Sequence, residues 1–445
     1  MEKSHNQIKD NLPSIEHILL PITYTSWLLG AGVAHPRKYR KIVTLTPCII
    51  YLALCSVCMT FSMKIFFTMY NFFQNIYTIL SFIHIGIGYV LAYYCIYQVI
   101  GQYDKWPELM DKIKEFDQKI RREIPINDRP VKIAEMLAII VTLICCPLCI
   151  IVDVLYYYFT NPELSRIFVL IMYYKLGQSL INSFVFDIVV YMLDYRLKAI
   201  NKLIGQLNEL SDALKIRRIR EMHNDICDLF IMVNDIYAFN LLLCSMSCLI
   251  GVIYELSAIY VEINFHESDF MCIFISFLIL YTTQFGLMCW NCTLVSRDFD
   301  KTGIIIRAIV LNFKHLNIEL KEKRSQSNIE MRSSVEDWNT WQNSVWDSSH
   351  YWNNIVAENF LQRRRAENLR KNLNYQRIRN EINDFLIQLQ HRRIVFTAYD
   401  FFDINNVTFS GFLGVIIVYM TICVQFFKSW SISSKLGRLL SLLKE

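Results

Sequence analysis

The chain has 445 residues, of which 54% are hydrophobic and only 19% are charged, and its mean hydropathy is +0.28. Soluble domains carry about 25% charged residues, so this composition argues against a soluble protein. The net charge of +5 needs no nucleic-acid partner, because the basic residues collect in a few predicted loops.

Seven windows along the chain are long and apolar enough to cross a bilayer, for which a helix needs about 20 mostly apolar residues. We therefore predict an all-α membrane protein with seven transmembrane helices. The predicted spans are Val43–Met63, Tyr77–Ile100, Met136–Phe159, Ile167–Leu193, Tyr237–Ile263, Phe270–Leu294 and Val407–Phe427.

The segment before the first span, residues 1–42, contains a shorter apolar stretch, "HILLPITYTSWLLGAGV", which starts at His17 and is interrupted by Pro21. Its length and its proline favour an interfacial or re-entrant helix. An eighth span is the alternative.

Lysine and arginine residues alternate between dense and sparse loops. The N-terminal segment carries six, residues 101–135 carry eight, residues 194–236 carry seven and residues 297–405 carry seventeen. The intervening loops carry one, one and none. Because basic residues collect in cytoplasmic loops, the N-terminus is predicted to be cytoplasmic and the tail, residues 428–445, extracellular. Four basic residues in that tail do not fit the pattern.

Three ionisable residues, Asp153, Lys175 and Glu255, each lie roughly 10 Å below the outer surface at a rise of ~1.5 Å per residue. An unpaired charge at this depth is costly, so Lys175 is expected to pair with an acid. The predicted six-helix bundle, residues 43–294, then has a mixed aromatic and polar ligand pocket, with Lys175 near its floor. A buried structural ion pair is the alternative. Further pocket candidates are Tyr156, Tyr157, Tyr174, Gln178 and Tyr281.

The last predicted span, residues 407–427, has polar residues at both ends. Asp403, Asn405 and Asn406 precede it, and Gln425 lies near its far end. At ~3.6 residues per turn, one stripe contains Val415, Val418, Ile422, Gln425 and Phe426. Such a stripe suits a hydrophobic constriction that gates by dewetting, and plain helix packing is the alternative.

The sequence "VYMTICVQF", Val418 to Phe426, resembles the C-terminal signature of insect gustatory receptors, in which Thr-Tyr and five hydrophobic residues precede Gln-Phe. Tyr419, Gln425 and Phe426 match, whereas Val418 replaces the usual threonine. The resemblance continues upstream in "NCTLVSRDFDKTGIII" and "NEINDFLIQLQHRRIVFTAYDFFDIN". Asp400 stands where many members of this family carry glycine.

This resemblance implies a ligand-gated, non-selective cation channel in the plasma membrane of a chemosensory neuron, opened by a small-molecule tastant of bitter-type or orphan specificity. It implies a homo- or hetero-tetramer whose last helices surround the pore. Residues 295–406 would form a cytoplasmic anchor, separated from the pore helix by a break between Asp400 and Asn406. Gln425 and Phe426 would form the outer gate, with Ile422, Val418 and Tyr419 deeper in the helix.

Residues 321–379 form a polar insert in the predicted anchor. Its first part, "SQSNIEMRSSVEDWNTWQNS", has the composition of a disordered segment. From Ile355 the apolar spacing allows an amphipathic helix. A solvated loop or translated non-coding sequence is one interpretation of the insert, and a docking arm for a cytoplasmic partner is the other.

Other functional classes are less consistent with the sequence. There is no phosphate-binding, zinc-protease or nucleophile-elbow motif, so no enzyme, cofactor or metal site is predicted. A G-protein-coupled receptor requires the opposite orientation. A secondary transporter is expected to show two matching halves, and no internal repeat is visible.

Overall fold

The computed structural model describes the backbone of residues 15–37, 41–69, 76–145, 147–148, 151, 166–207, 213–265, 271–341, 350–422 and 425. These residues are predominantly helical. They also contain an isolated antiparallel β-bridge between Thr397 and Asp403. The prediction of an all-α membrane fold is confirmed. The helices are α1 (Ile15–Ile18), α2 (Leu20–Leu28), α3 (Lys41–Met69), α4 (Ile76–Gly101), α5 (Lys105–Glu123), α6 (Arg129–Ile140), α7 (Arg166–Gly205), α8 (Ala213–Phe265), α9 (Met271–Trp341), α10 (His350–His391) and α11 (Asn406–Ile422).

Within the described part of the chain, five helical stretches are long and apolar enough to cross a membrane. They fall in α3, α4, α7, α8 and α9, and the apolar helix α11 is shorter. The third predicted span begins in α6, continues as a π-helical turn at Val141–Cys145, and then mostly lies outside the described residues. Several helices run well past the predicted spans, because the hydropathy pattern marks only the apolar part of a longer helix.

The residues divide into two compact units. The first contains Met1–Tyr195, Asp228–Ser296 and Ile394–Glu445, and the second contains Arg196–Cys227 and Arg297–Arg393. Side chains hold the helices of the second unit together. Arg220 forms ion pairs with Glu381 at 3.2 Å and Asp384 at 3.0 Å, and the Thr302 hydroxyl donates to the Asn201 side chain at 2.6 Å.

Helix α2 has nine residues, so it is about 14 Å long and too short to span the hydrocarbon core. Its backbone N–H at Ile22 donates to the buried Glu135 carboxylate at 3.1 Å. Beyond it, His35 stacks on Tyr103 with the ring centroids 4.3 Å apart. Helix α2 and the segment that follows it are therefore held within the first unit by specific contacts.

The expectation of disorder in the first part of the insert is wrong for residues 325–341, where α9 continues as a helix to Trp341. Glu, Lys, Arg and Gln favour helix, so a sequence that builds no core can still extend one. The helix predicted from Ile355 is confirmed within α10. Only part of its apolar stripe is covered: Ile378 and Ile382 are buried, whereas Leu369 and Leu373 are exposed.

Candidate functional site

Two of the predicted pocket residues, Tyr174 and Gln178, lie one turn apart on α7 and hold the end of α2. The Tyr174 hydroxyl donates to the Leu29 carbonyl at 2.6 Å, and the Gln178 amide donates to the Gly30 carbonyl at 2.8 Å. The Tyr51 hydroxyl of α3 donates to the Leu28 carbonyl at 2.7 Å. The last carbonyls of a helix lack partners within it, so Tyr51 and Tyr174 satisfy those of Leu28 and Leu29, and Gln178 binds the next carbonyl after them. We call Tyr51, Tyr174 and Gln178 the carbonyl clamp.

Two glycines allow the chain to turn at the clamp. Gly30 and Gly32 have φ values of +57° and +67°, in the left-handed region that favours glycine. A Cβ atom on Gly32 would lie 2.0 Å from the Asn182 side-chain oxygen, and Asn182 itself donates to Asn240 at 2.9 Å. The segment is thus fitted against α7 without room for another side chain at Gly32.

Lys175 lies next to Tyr174 in sequence but points to a different face of α7, because successive helical residues are about 100° apart. Its side chain is 6% exposed, and its Nζ lies 3.4 Å from the centroid of the Tyr89 ring. Among the described residues, no hydrogen-bond acceptor or carboxylate is bonded to this ammonium group. The expected pairing with Glu255 is therefore not observed, and Asp153 lies outside the described residues.

Tyr281, another predicted pocket residue, belongs to an aromatic cluster that joins α4, α8 and α9. The His84 ring stacks on Tyr254 at 4.9 Å and meets Tyr281 edge-on at 6.0 Å. Tyr281 also packs closely on Gly251, whose added Cβ would lie 2.8 Å from the ring. Glu255 follows Tyr254 in α8 and is 5% exposed.

Sequence reasoning missed several residues of this region. It gave no role to Tyr51, Tyr89 or Tyr254. The aromatic residues of the spans were visible, but their helical faces are set by tertiary packing. Tyr156 and Tyr157 lie outside the described residues, as does Asp153.

The break before the last helix is present and well bonded. The Asn405 side-chain oxygen accepts the Thr408 N–H at 3.0 Å, which is an N-cap bond of α11. The Asn406 N–H donates to the Thr293 hydroxyl of α9 at 2.9 Å. Asp400 has a φ of +60°, in the left-handed region that favours glycine.

Helix α11 has two different faces. On one face, Phe412 and Ile416 are buried, the Phe412 ring lies 4.7 Å from Phe285, and the Tyr419 hydroxyl is 3.4 Å from Ser257 Oγ of α8. The other face carries the stripe predicted from the sequence. Its described members are exposed: Val415 (51%), Val418 (60%), Ile422 (44%) and Gln425. Phe426 lies outside the described residues.

Known proteins share this architecture. The sequence profile of the 7tm chemosensory receptor family matches residues 19–333 and 325–428. The chain belongs to the 7tm chemosensory receptor family. A comparison with curated protein sequences found no match.

Among solved structures, this chemosensory receptor is similar to the insect olfactory receptor OR5 from Machilis hrabei, with 14% sequence identity and a TM-score of 0.54. The structure of that receptor in complex with eugenol matches with 12% identity and a TM-score of 0.53. Each alignment covers 93% of this chain and 97% of the other. At this identity the likeness shows a shared fold.

Proposed function

We propose that this chemosensory receptor is a gustatory receptor: a ligand-gated, non-selective cation channel that detects a small-molecule tastant at the plasma membrane of a chemosensory neuron. The observation that carries the proposal is the division of α11 into a packed face and an exposed apolar face. The Tyr419, Gln425 and Phe426 signature supports taste over smell. Bitter-type or orphan specificity is the default.

The exposed face of α11 has the character of a pore lining. Val415, Val418 and Ile422 are apolar and exposed in the single chain, and a stripe of this kind is usually covered by a partner or lines a narrow constriction. Four copies around one axis would turn these stripes toward each other. Gln425 would then lie at the outer end of the pore, with Phe426 as the closing ring.

Hydrogen bonds hold α11 at its N-terminal end and along one side, whereas the proposed lining residues are exposed, and this arrangement supports a pore role. Asn405 caps the helix, Asn406 is bonded to Thr293, and Tyr419 contacts Ser257. A helix held on one side can transmit a movement of α8 or α9 to its exposed residues. The contact of Tyr419 with α8 links the proposed gate to the helix that carries Glu255.

The second unit supports assembly into a homo- or hetero-tetramer, with residues 295–406 as a cytoplasmic anchor and the N-terminus also in the cytoplasm. Several of its large apolar side chains are exposed in the single chain, and contiguous exposed apolar groups mark interaction surfaces. These are Ile304 (64%), Leu311 (66%), Leu369 (61%) and Leu373 (55%).

The ligand site is proposed in the outer half of the bundle, around Lys175, Glu255 and Tyr281, with Asp153, Tyr156 and Tyr157 completing it. Tyr174 and Gln178 contribute indirectly, because they position the segment at Leu29–Gly30. Small-molecule binding is supported by the similar Machilis hrabei receptor, whose structure was determined with eugenol.

Electrical recording tests the proposal. Cells that express the full chain should show a tastant-evoked cation current that persists when G proteins are inhibited. A response that disappears with G-protein inhibition would favour a G-protein-coupled mechanism instead. Saturable uptake of the tastant without any current would favour a transporter.

A further inference from the structure

An apolar crevice lies between α3 and α4 and has a volume of about 370 Å³. Met59 and Met63 of α3 and Phe82, Gly86 and Tyr89 of α4 line it. Two further lining residues, Ile83 and Val90, are 39% and 53% exposed, so the crevice is accessible from the outside of these two membrane helices. Its volume is within the roughly 300–1,000 Å³ range of small-molecule sites.

One side chain separates this crevice from the buried ammonium group of Lys175. The Tyr89 ring lines the crevice, and its centroid lies 3.4 Å from Lys175 Nζ. The ammonium group also lies beside Gly88 of α4, where an added Cβ would be 3.7 Å from Nζ. Rotation of a single tyrosine would therefore open the crevice to the ammonium group.

The ammonium group is chemically incomplete. Lys175 is 6% exposed, and within the described part of the chain its Nζ has the Tyr89 ring but no hydrogen-bond partner. A cation–π contact is worth about 2 kcal/mol when desolvated, whereas a buried ion is strongly favoured by a nearby opposite charge. Within the described part of the chain, no anionic group is bonded to this ammonium group, and an anionic ligand would supply one.

Hydroxyl groups around the crevice add polar partners. The Tyr89 hydroxyl is 2.8 Å from Ser62 Oγ, and the Tyr93 hydroxyl donates to Ser56 Oγ at 3.0 Å. Hydroxyl donors of this kind can also bond a carboxylate. The lining of the crevice itself is apolar, so these hydroxyls would meet a carboxylate only after the Tyr89 ring has turned aside.

We propose that the crevice and Lys175 form a binding site for a free fatty acid. The hydrocarbon tail would occupy the crevice, and the carboxylate would bind Lys175 Nζ after the Tyr89 ring has turned aside. A phospholipid fits less well, because its headgroup is much larger than a carboxylate and would have to enter the helix bundle to reach Lys175, roughly 10 Å below the interface. This inference rests on the proposed receptor function and names its ligand class.

Binding of three probes with the same chain length tests the inference. Dodecanoate, dodecanol and dodecylamine would be titrated at pH 7 against the full-length receptor in lipid nanodiscs. Dodecanoate should bind at least tenfold more tightly than either of the other two. Lys175→Met should abolish this preference while dodecanol binding stays the same. Gly86→Leu should weaken all three, because the space at its Cβ position is open and leucine would fill the crevice.

Equal affinity for dodecanoate and dodecanol in the wild type would overturn the proposal and leave only an acyl-chain crevice. A preference for the acid that survives Lys175→Met would also overturn it. The wild-type comparison holds even if a variant fails to fold, and Lys175→Gln provides a second variant. The fatty-acid proposal is tested by binding, with no current recorded. The channel proposal fails only if no tastant evokes a current, so the two failures can be told apart.

Discussion

The side-chain amide of Gln178 donates a 2.8 Å hydrogen bond to the main-chain carbonyl of Gly30. Gln178 is fully buried, and the bond joins residues 148 positions apart in the chain. The sequence suggests Gln178 for ligand binding, but its amide instead binds the segment after α2. Lys175, three residues earlier on the same helix, is not engaged in this bond and remains available to a ligand.

Gln178→Leu should therefore act on stability rather than on ligand choice. The substitution keeps an apolar side chain of similar size but leaves the buried Gly30 carbonyl without its donor, at a cost of about 1–3 kcal/mol. We expect a lower thermal unfolding midpoint in detergent and an unchanged order of ligand potencies. The exposed Gln206 provides the matched control, Gln206→Leu, which should leave the midpoint unchanged. A changed order of potencies with a normal midpoint would place Gln178 in the ligand site.

Gly32→Ala should prevent normal packing of the same segment. The φ of +67° disfavours alanine by about 1–2 kcal/mol, and the new Cβ would lie 2.0 Å from the buried Asn182 oxygen. We expect loss of surface expression, measured by labelling intact cells. Gly205→Ala is the control, because no heavy atom lies within 4 Å of its Cβ position. Normal expression of Gly32→Ala would show that the segment is not held as described.

Asp400 should tolerate glycine and reject a β-branched residue. Its φ of +60° suits glycine, and the exposed Thr397 hydroxyl donates to the Asp400 carboxylate at 3.0 Å. Asp400→Gly should be neutral or stabilising by up to about 1 kcal/mol, whereas Asp400→Val should destabilise by about 1–2 kcal/mol. Thermal unfolding of both variants measures the difference. Equal stability of the two would contradict the left-handed conformation.

Glu135 should make stability depend on pH. Burial raises the pKa of its carboxyl to about 7, although the hydrogen bond from the Ile22 N–H lowers it in part. Because the folded-state pKa is above the ordinary value of 4.5, the stability that this group contributes is fully present below pH 4.5 and is lost as the pH rises through about 7. Glu135→Gln cannot ionise, so it should unfold at a higher temperature than the wild type at pH 8 and at a similar temperature at pH 4.5. A constant difference across this pH range would contradict the assignment.

Hydropathy predicted the membrane helices well where the physical constraint is strong. A continuous apolar run must be helical in a bilayer, so Val43–Met63 and Tyr77–Ile100 lie within α3 and α4. The polar residues around Asn405 likewise marked the break before α11, because Asn caps helices and interrupts an apolar run. The extension of α9 to Trp341 was not predictable in this way, since hydropathy carries no information on helix outside the membrane.

The site was only partly predictable for a related reason. Depth below the surface follows from counting residues, and the sequence therefore indicated Lys175, Glu255 and Tyr281 as candidates for the ligand pocket. The direction of each side chain depends on which helices are neighbours, so Tyr174 and Lys175 could not be separated into a clamp and a candidate ligand residue. Nor does sequence show that Gly30 and Gly32 adopt positive φ.

The central claim is that the exposed face of α11, which ends at Gln425, lines an ion path. The most direct measurement is the reversal potential of the tastant-evoked current with calcium and sodium on opposite sides of the membrane. Gln425→Glu would place several carboxylates at the outer end of the pore, so relative calcium permeability should rise; Gln206→Glu, the matched change elsewhere, should not alter it. An unchanged reversal potential in Gln425→Glu, from a channel that still opens normally, would contradict the account.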